Sequence, residues 1–152
     1  MRVELQPITL DTFSTCCDLT VGPTQRGFCP ENVRSLAEAY VRDDAECFGL
    51  HFGGDMIGFA MLVQEAGHIH LHRFMIDFAH QGRGYGRAAL DAIIEHVRAR
   101  PDRSDRLIVM FLIENLAAEH LYQAAGFVDT GELYKNERWR YTERIYAYHF
   151  TI

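Results

Sequence analysis

From Arg2 to Ile8 apolar and polar residues alternate, as in a strand with one buried face. Residues 9–20 read as a short helix opened by Thr9 or Asp11, whose side-chain oxygens can accept from its first free amides. Gly22, Pro23, Gly27 and Pro30 then break the pattern, so 21–30 is expected to be a loop. Asn32 can cap a second helix reaching about Tyr40, with Val33, Leu36, Ala37 and Tyr40 along one stripe. Strand-like runs at 46–52 and 56–64 flank Gly53-Gly54-Asp55, a hairpin signal. A further strand, 68–77, follows a turn at Gly67. Leu90, Ile93, Ile94 and Val97 recur at helical spacing and predict a helix over 84–99, closed by Pro101. The unbroken apolar run 107–113 is expected to be a buried central strand. Asn115 can cap another helix, which ends at Gly126, where a left-handed residue is usual. Strands at 127–133 and 140–151 finish the chain. The order β-α-α-β-β-β-α-β-α-β-β predicts an α/β domain around one mixed sheet of about seven strands.

No repeat, low-complexity tract or linker interrupts the 152 residues, so 1–152 is expected to be a single domain. No apolar run approaches the length of a membrane span. The start, Met1-Arg2-Val3-Glu4-Leu5, has no apolar stretch like that of a signal peptide, and a cytoplasmic protein is expected. The net charge of -6 argues against a nucleic-acid partner, which would need a basic surface, and suits a cationic ligand. Cys16, Cys17, Cys29 and Cys47 lack the spacing of a zinc or redox motif and are expected to be reduced, mostly buried thiols.

The most informative segment is the strand that runs into Gln81-Gly82-Arg83-Gly84-Tyr85-Gly86-Arg87 and then into a helix. Glycines let consecutive amides converge, and the helix start adds free donors and the positive end of its dipole. Such a turn is an anion cradle suited to a pyrophosphate, with Arg83 and Arg87 at its rim. A dinucleotide fingerprint would need its third glycine one residue later, and a nucleotide P-loop would need Gly-Lys followed by Ser or Thr. What remains is Gln-x-x-Gly-x-Gly, at Gln81, Gly84 and Gly86.

That pattern resembles the acetyl-CoA-binding motif of the GNAT superfamily of N-acetyltransferases. A second stretch, Asn115-Leu116-Ala117-Ala118-Glu119-His120-Leu121-Tyr122-Gln123-Ala124-Ala125-Gly126-Phe127, is similar to the Asn-x-x-Ala-x-x-Leu-Tyr-x-x-x-Gly-Phe of the same superfamily. Val21, Gln25, Phe28, Asn32, Ser35-Leu36, Glu38-Ala39-Tyr40, Arg73-Phe74-Met75-Ile76-Asp77 and Thr130-Gly131-Glu132 look like its spermine/spermidine (diamine) acetyltransferase branch. The resemblance covers nearly the whole chain and implies the GNAT fold, whose fourth and fifth strands splay apart.

The resemblance also implies roles. Backbone groups of Phe74, Met75 and Ile76 would pair with the pantetheine arm, and Gln81, Gly82, Arg83, Gly84, Tyr85, Gly86 and Arg87 would cradle the pyrophosphate. Asn115 would contact the same arm, a role compatible with capping its helix. Tyr122 would protonate the departing thiol, against a plain reading as a packed amphipathic tyrosine. Where some members carry a Glu on the fourth strand, this chain has His70, a candidate general base acting directly or through water. His68, His70 and His72 alternate and so share one strand face; three such imidazoles can bind a metal, but strand histidines are more often solvated or packed, and no metal is expected.

A polyamine acceptor needs carboxylates for its second ammonium. Glu31, Glu38, Asp43, Asp44 and Glu46 cluster around the second helix; most of such a cluster is ordinarily a solvated face. Glu38 and Glu132 lie in the branch-like segments and are the candidates, with Phe28, Tyr40 and Trp139 to line the methylenes. The expected activity is acetyl transfer from acetyl-CoA to a small-molecule primary amine such as spermidine or spermine. The alternatives are another acceptor (an aminoglycoside, an amino acid or a protein N-terminus) and a non-catalytic acyl-CoA-binding module. The last two strands offer an edge for a homodimer.

Overall fold

The computed structural model describes residues 1–151. Its elements are β1 (Glu4–Pro7), α1 (Phe13–Asp18), α2 (Asn32–Val41), β2 (Ala45–Phe52), β3 (Asp55–Glu65), β4 (His68–Ile76), α3 (Tyr85–Arg98), β5 (Arg106–Leu112), α4 (Leu116–Ala125), β6 (Val128–Asn136) and β7 (Tyr141–His149). This is the order that the periodicity predicts. One sheet runs β1-β2-β3-β4-β5-β7-β6. Only β4 and β5 pair in parallel; the other neighbours are antiparallel.

Apolar residues cover both faces. Leu90, Ile93 and Val97 of α3 join Leu62, Leu71, Leu107 and Val109 of the sheet in the larger cluster. On the other face Cys16 of α1 joins Met56, Phe59, Met61 and Met75, with Leu36 and Ala39 of α2 packed against them.

Two features of β4 position the site. Its pairing with β5 consists of Ile69–Leu71 against Leu107–Val109 and then stops. Beyond that point β4 follows β3 alone while β5 stays with β7, so a wedge opens between them. Gly58 of β3 pairs with Ile76, and a Cβ there would collide with the Met75 carbonyl, so glycine allows the two chains to stay close as β4 diverges. The second feature is a bulge. Leu71 pairs with Leu62 and Arg73 with Met61, leaving His72 as the extra residue. His72 stays on the α2 side with His70, as the alternation predicts, and the extra residue brings Arg73 to that side as well, so His72 and Arg73 both reach Glu38 of α2.

Other local expectations need correction. The first helix is only six residues long, and neither Thr9 nor Asp11 caps it: the residue before it is Thr12, with no side-chain cap. Asn32 does not cap α2 but begins it, buried, with its amide donating to the Cys16 carbonyl at 2.9 Å. The inward face of α2 carries Asn32, Ser35, Leu36 and Ala39, whereas Val33 and Tyr40 point to solvent. Of the four free cysteines only Cys16 is fully buried; Cys17, Cys29 and Cys47 are half-buried.

Candidate active site

After Ile76 the chain makes a short 3-10 turn at Phe78–His80 and enters the glycine segment. The Gln81 side chain turns inward, donating to the Ile76 carbonyl at 2.9 Å and to Gln25 Oε1 at 3.0 Å. It therefore braces the turn against the 21–30 loop. Gly82 and Gly84 adopt φ of +76° and +84°, which residues with a Cβ rarely enter. No atom lies within 4 Å of a Cβ built on Gly82, and only the Met1 side chain, at 4.0 Å, approaches one on Gly84. Gly84 precedes α3 with no side-chain cap, so side chains leave the first amides of α3 unclaimed. Open space over left-handed glycines and uncapped amides fits a pyrophosphate. Arg83 is exposed at the rim, and Arg87 pairs with Asp91 at 3.1 Å. Tyr85 packs its ring on Phe52 at 5.1 Å, and Gly86 faces Leu121 of α4, so both serve packing beneath the cradle.

The wedge continues from the cradle. Met75 and Ile76 are buried in opposite clusters and Phe74 is half-buried, but past Leu71 the β5-facing backbone edge of β4 has no strand partner. A pantetheine amide chain can pair there. Asn115 accepts from the Ala118 amide at 3.1 Å through Oδ1, the expected cap, and its NH2 has no hydrogen-bond partner among the described residues. Tyr122 is only 6% exposed, with its ring 5.4 Å from both Phe111 and Phe127. Among the described residues its hydroxyl has no hydrogen-bond partner. Burial, and secondarily the nearby Cys29, pushes its pKa well above the usual tyrosine value, so the phenol is kept as a proton donor.

In the sequence Cys29 reads only as one of four reduced thiols, because no motif contains it. It comes from the loop before α2 and lies against the Phe74 backbone, near Arg73 and Tyr122; burial raises its pKa despite Arg73. Arg73 donates to the His72 carbonyl at 2.9 Å and to Glu38 at 3.3 Å, while its Nε is buried and unpartnered. Glu143 of β7 lies opposite Leu112 of β5 and Tyr134 of β6. Its pKa is raised by burial, with Arg73 pulling the other way.

The remaining sequence candidates are dispersed. His70 pairs with Val63 and Ile108 in the closed part of the wedge, four residues before Phe74, or roughly 13 Å along a strand. Burial lowers its pKa, with Glu65 as the main opposing influence. Glu38 is saturated: Arg42 donates to it at 3.2 Å, Arg73 at 3.3 Å, and His72 lies 2.8 Å away. It holds Arg73 in place. Tyr40 is 90% exposed because two helical steps turn it away from Glu38, so it does not line the cleft. Trp139 is also exposed, under the Arg138 guanidinium. Phe28 is partly exposed in the loop beside Cys29, and Glu132 is exposed on β6 after left-handed Gly131. His68 is engaged by Ser104 at 2.6 Å and Arg106 at 3.0 Å, and no group of three metal-ligating side chains is assembled among the described residues.

A splayed parallel strand pair, a glycine cradle at one end and a buried phenol in the gap define a site for transfer from an acyl-CoA. Residues 13–127 match the acetyltransferase (GNAT) family. The chain is 30% identical over 141 residues to spermine/spermidine N(1)-acetyltransferase of Bacillus subtilis (strain 168), covering 88% of this chain and 92% of that protein. Spermidine N-acetyltransferase from Vibrio cholerae, solved with CoA and spermine, superposes with a TM-score of 0.72 at 18% identity, over 95% of this chain and 94% of that one. The ribosomal-protein-S18-alanine N-acetyltransferase of Escherichia coli gives the same TM-score, 0.72, at 18% identity, over 99% and 95%. The chain belongs to the GNAT family and is an acetyl-CoA-dependent N-acetyltransferase.

Proposed function

We propose that the acceptor is a polyamine such as spermidine or spermine, acetylated by residues 1–152 acting as one domain. The observation that carries this reading is the named activity of the Bacillus relative, whose similarity spans most of both chains. The structural likenesses support the fold alone, since neighbours with quite different acceptors match equally well.

When bound, acetyl-CoA supplies the acetyl group and a thiol leaving group. Gly82, Arg83, Gly84 and Arg87 hold the pyrophosphate, over a floor of Gln81, Tyr85 and Gly86. The free edge at Phe74, Met75 and Ile76 aligns the pantetheine arm with help from Asn115. Tyr122 gives its proton to the departing sulfur. Phe28 and exposed Glu132 receive the rest of the polyamine, since Glu38 is occupied by cations of its own chain. The reading places the enzyme in the cytoplasm, with a homodimer formed along the outer edge of β6.

CoA release measured against a panel of amines tests the acceptor. Spermidine or spermine should exceed a monoamine of similar length by at least about tenfold in kcat/KM, the value of one partly desolvated charge contact. The advantage should narrow at high salt and in Glu132→Gln. Equal rates with mono- and polyamines, or a preference for an aminoglycoside, an amino acid or an N-terminal peptide, would overturn the polyamine reading.

A further inference from the structure

We infer that Glu143 is the group that takes the proton from the incoming amine. This rests on acetyl transfer to an amine, but not on the amine being a polyamine.

Four carboxylates of the described residues are neither exposed nor solvated like the rest: Glu38, Asp77, Glu119 and Glu143. Three are already used. Glu38 accepts from Arg42 and Arg73 and contacts His72. Asp77 accepts from the Thr20 amide at 3.0 Å and faces His80. Glu119 accepts from the Tyr146 hydroxyl at 2.8 Å and pairs with Arg144 at 3.3 Å. The Glu143 side chain has no hydrogen bond or ion pair among the described residues. Its oxygens are not shut away from open space, so this carboxylate is free to take a cation.

Its place in the sheet fits that role. Arg144, the next residue, reaches Glu119 of α4, so strand alternation sends Glu143 to the opposite face, where the 21–30 loop and α2 lie. It sits at the open end of the wedge, three pairs beyond Val109, the last β5 residue paired with β4. Arg73 of β4 bears on it from across the wedge, too far for an ion pair but close enough to be felt. Tyr134 of β6 is its cross-strand neighbour and Tyr141 lies two residues back on β7; Leu112 on β5 is apolar. Arg73 is therefore the one charge shown to act on Glu143, and Glu38 and the His72 carbonyl already hold two of its nitrogens. An ammonium entering between Arg73 and the phenol would find Glu143 as its free carboxylate.

The proton balance closes. An ammonium gives one proton to the Glu143 carboxylate and becomes a free amine. The C–N bond forms as the thioester C–S bond breaks, Tyr122 protonates the sulfur, and the nitrogen's second proton restores the phenol. Glu143 then releases its proton to water. Burial raises the Glu143 pKa and so makes the carboxylate a stronger base than a solvated one.

The test compares the parent, Glu143→Gln and Glu143→Asp in CoA release from pH 5.5 to 9.5, with spermidine and with n-butylamine. Glu143→Gln should lose about 100-fold in kcat/KM at neutral pH with both amines. The loss should shrink as rising pH deprotonates the amine in solution, so the parent's acid limb and plateau should give way to a rate that keeps rising across the range, and Asp should restore part of the rate. The acetyl-CoA dissociation constant, by calorimetry, should stay within about threefold of the parent. A parent-like rate and profile in Glu143→Gln overturns the assignment, and so does an equal loss at every pH with no recovery in Glu143→Asp. Should Glu143→Gln fail to bind acetyl-CoA, the acid limb of Glu143→Asp decides, since an unmoved limb refutes the base role. Equal parent rates with spermidine and butylamine would remove the polyamine reading and leave the butylamine comparison to decide on Glu143.

Discussion

Burial raises both Tyr122 and Glu143, with opposite chemical consequences. A raised phenol holds its proton more firmly and remains a donor above the usual tyrosine range; a raised carboxylate accepts a proton more readily. Tyr122→Phe keeps the ring between Phe111 and Phe127 and removes only the hydroxyl. Turnover is expected to fall about 100-fold while acetyl-CoA binding changes little, a split that steady-state kinetics and calorimetry resolve. Because the Tyr122 pKa is displaced upward, the parent's turnover should show no alkaline fall at the pH of an ordinary tyrosine. Tyr122 can be singled out as a candidate from the sequence because it lies within a local motif that one helix presents. Glu143 cannot, because it belongs to an unremarkable run, Tyr141-Thr142-Glu143-Arg144. What distinguishes it is the parting of β4 from β5, contacts that lie more than thirty residues away.

Elements were legible wherever one apolar face decides them, as in α3, whose Leu90, Ile93, Ile94 and Val97 are all buried. The second helix misled because its inward face is partly polar. Asn32 and Ser35 are buried there, and Asn32 ties α2 to α1 through the Cys16 carbonyl. Asn32→Ala removes that bond and should cost about 1–3 kcal/mol, read from urea unfolding, while leaving the cradle intact. The bulge at His72 was equally hidden, since an inserted residue leaves composition and alternation unchanged until its partner strand is known. The turn into α3 makes a complementary prediction. Gly84→Leu forces a side chain into φ +84° and fills the space above the amides of α3. CoA affinity should drop at least tenfold by calorimetry; unchanged affinity would move the pyrophosphate elsewhere.

At the scale of the whole molecule, burial lowers the pKa of His51, His70, His72 and His96 below the ordinary 6.5. The folded protein then binds these protons less readily than the unfolded chain. Their contribution is complete above about pH 6.5 and is lost as pH falls through the depressed values. The urea midpoint should fall between pH 7 and pH 5.5, before most carboxylates titrate, and His51→Gln should flatten that slope. The fold adds a different kind of linkage. Past Leu71 the inner side of β4 is a sheet edge enclosed within the molecule. A cofactor lying there acts as a missing strand, so occupancy and folding share one free energy. At a hundred times its dissociation constant, CoA should add about 2.7 kcal/mol to the stability, and the melting temperature should climb with cofactor concentration. Those amides of 73–76 that point away from β3 would then exchange with deuterium on the timescale of cofactor release: quickly in the empty enzyme, slowly in the loaded one.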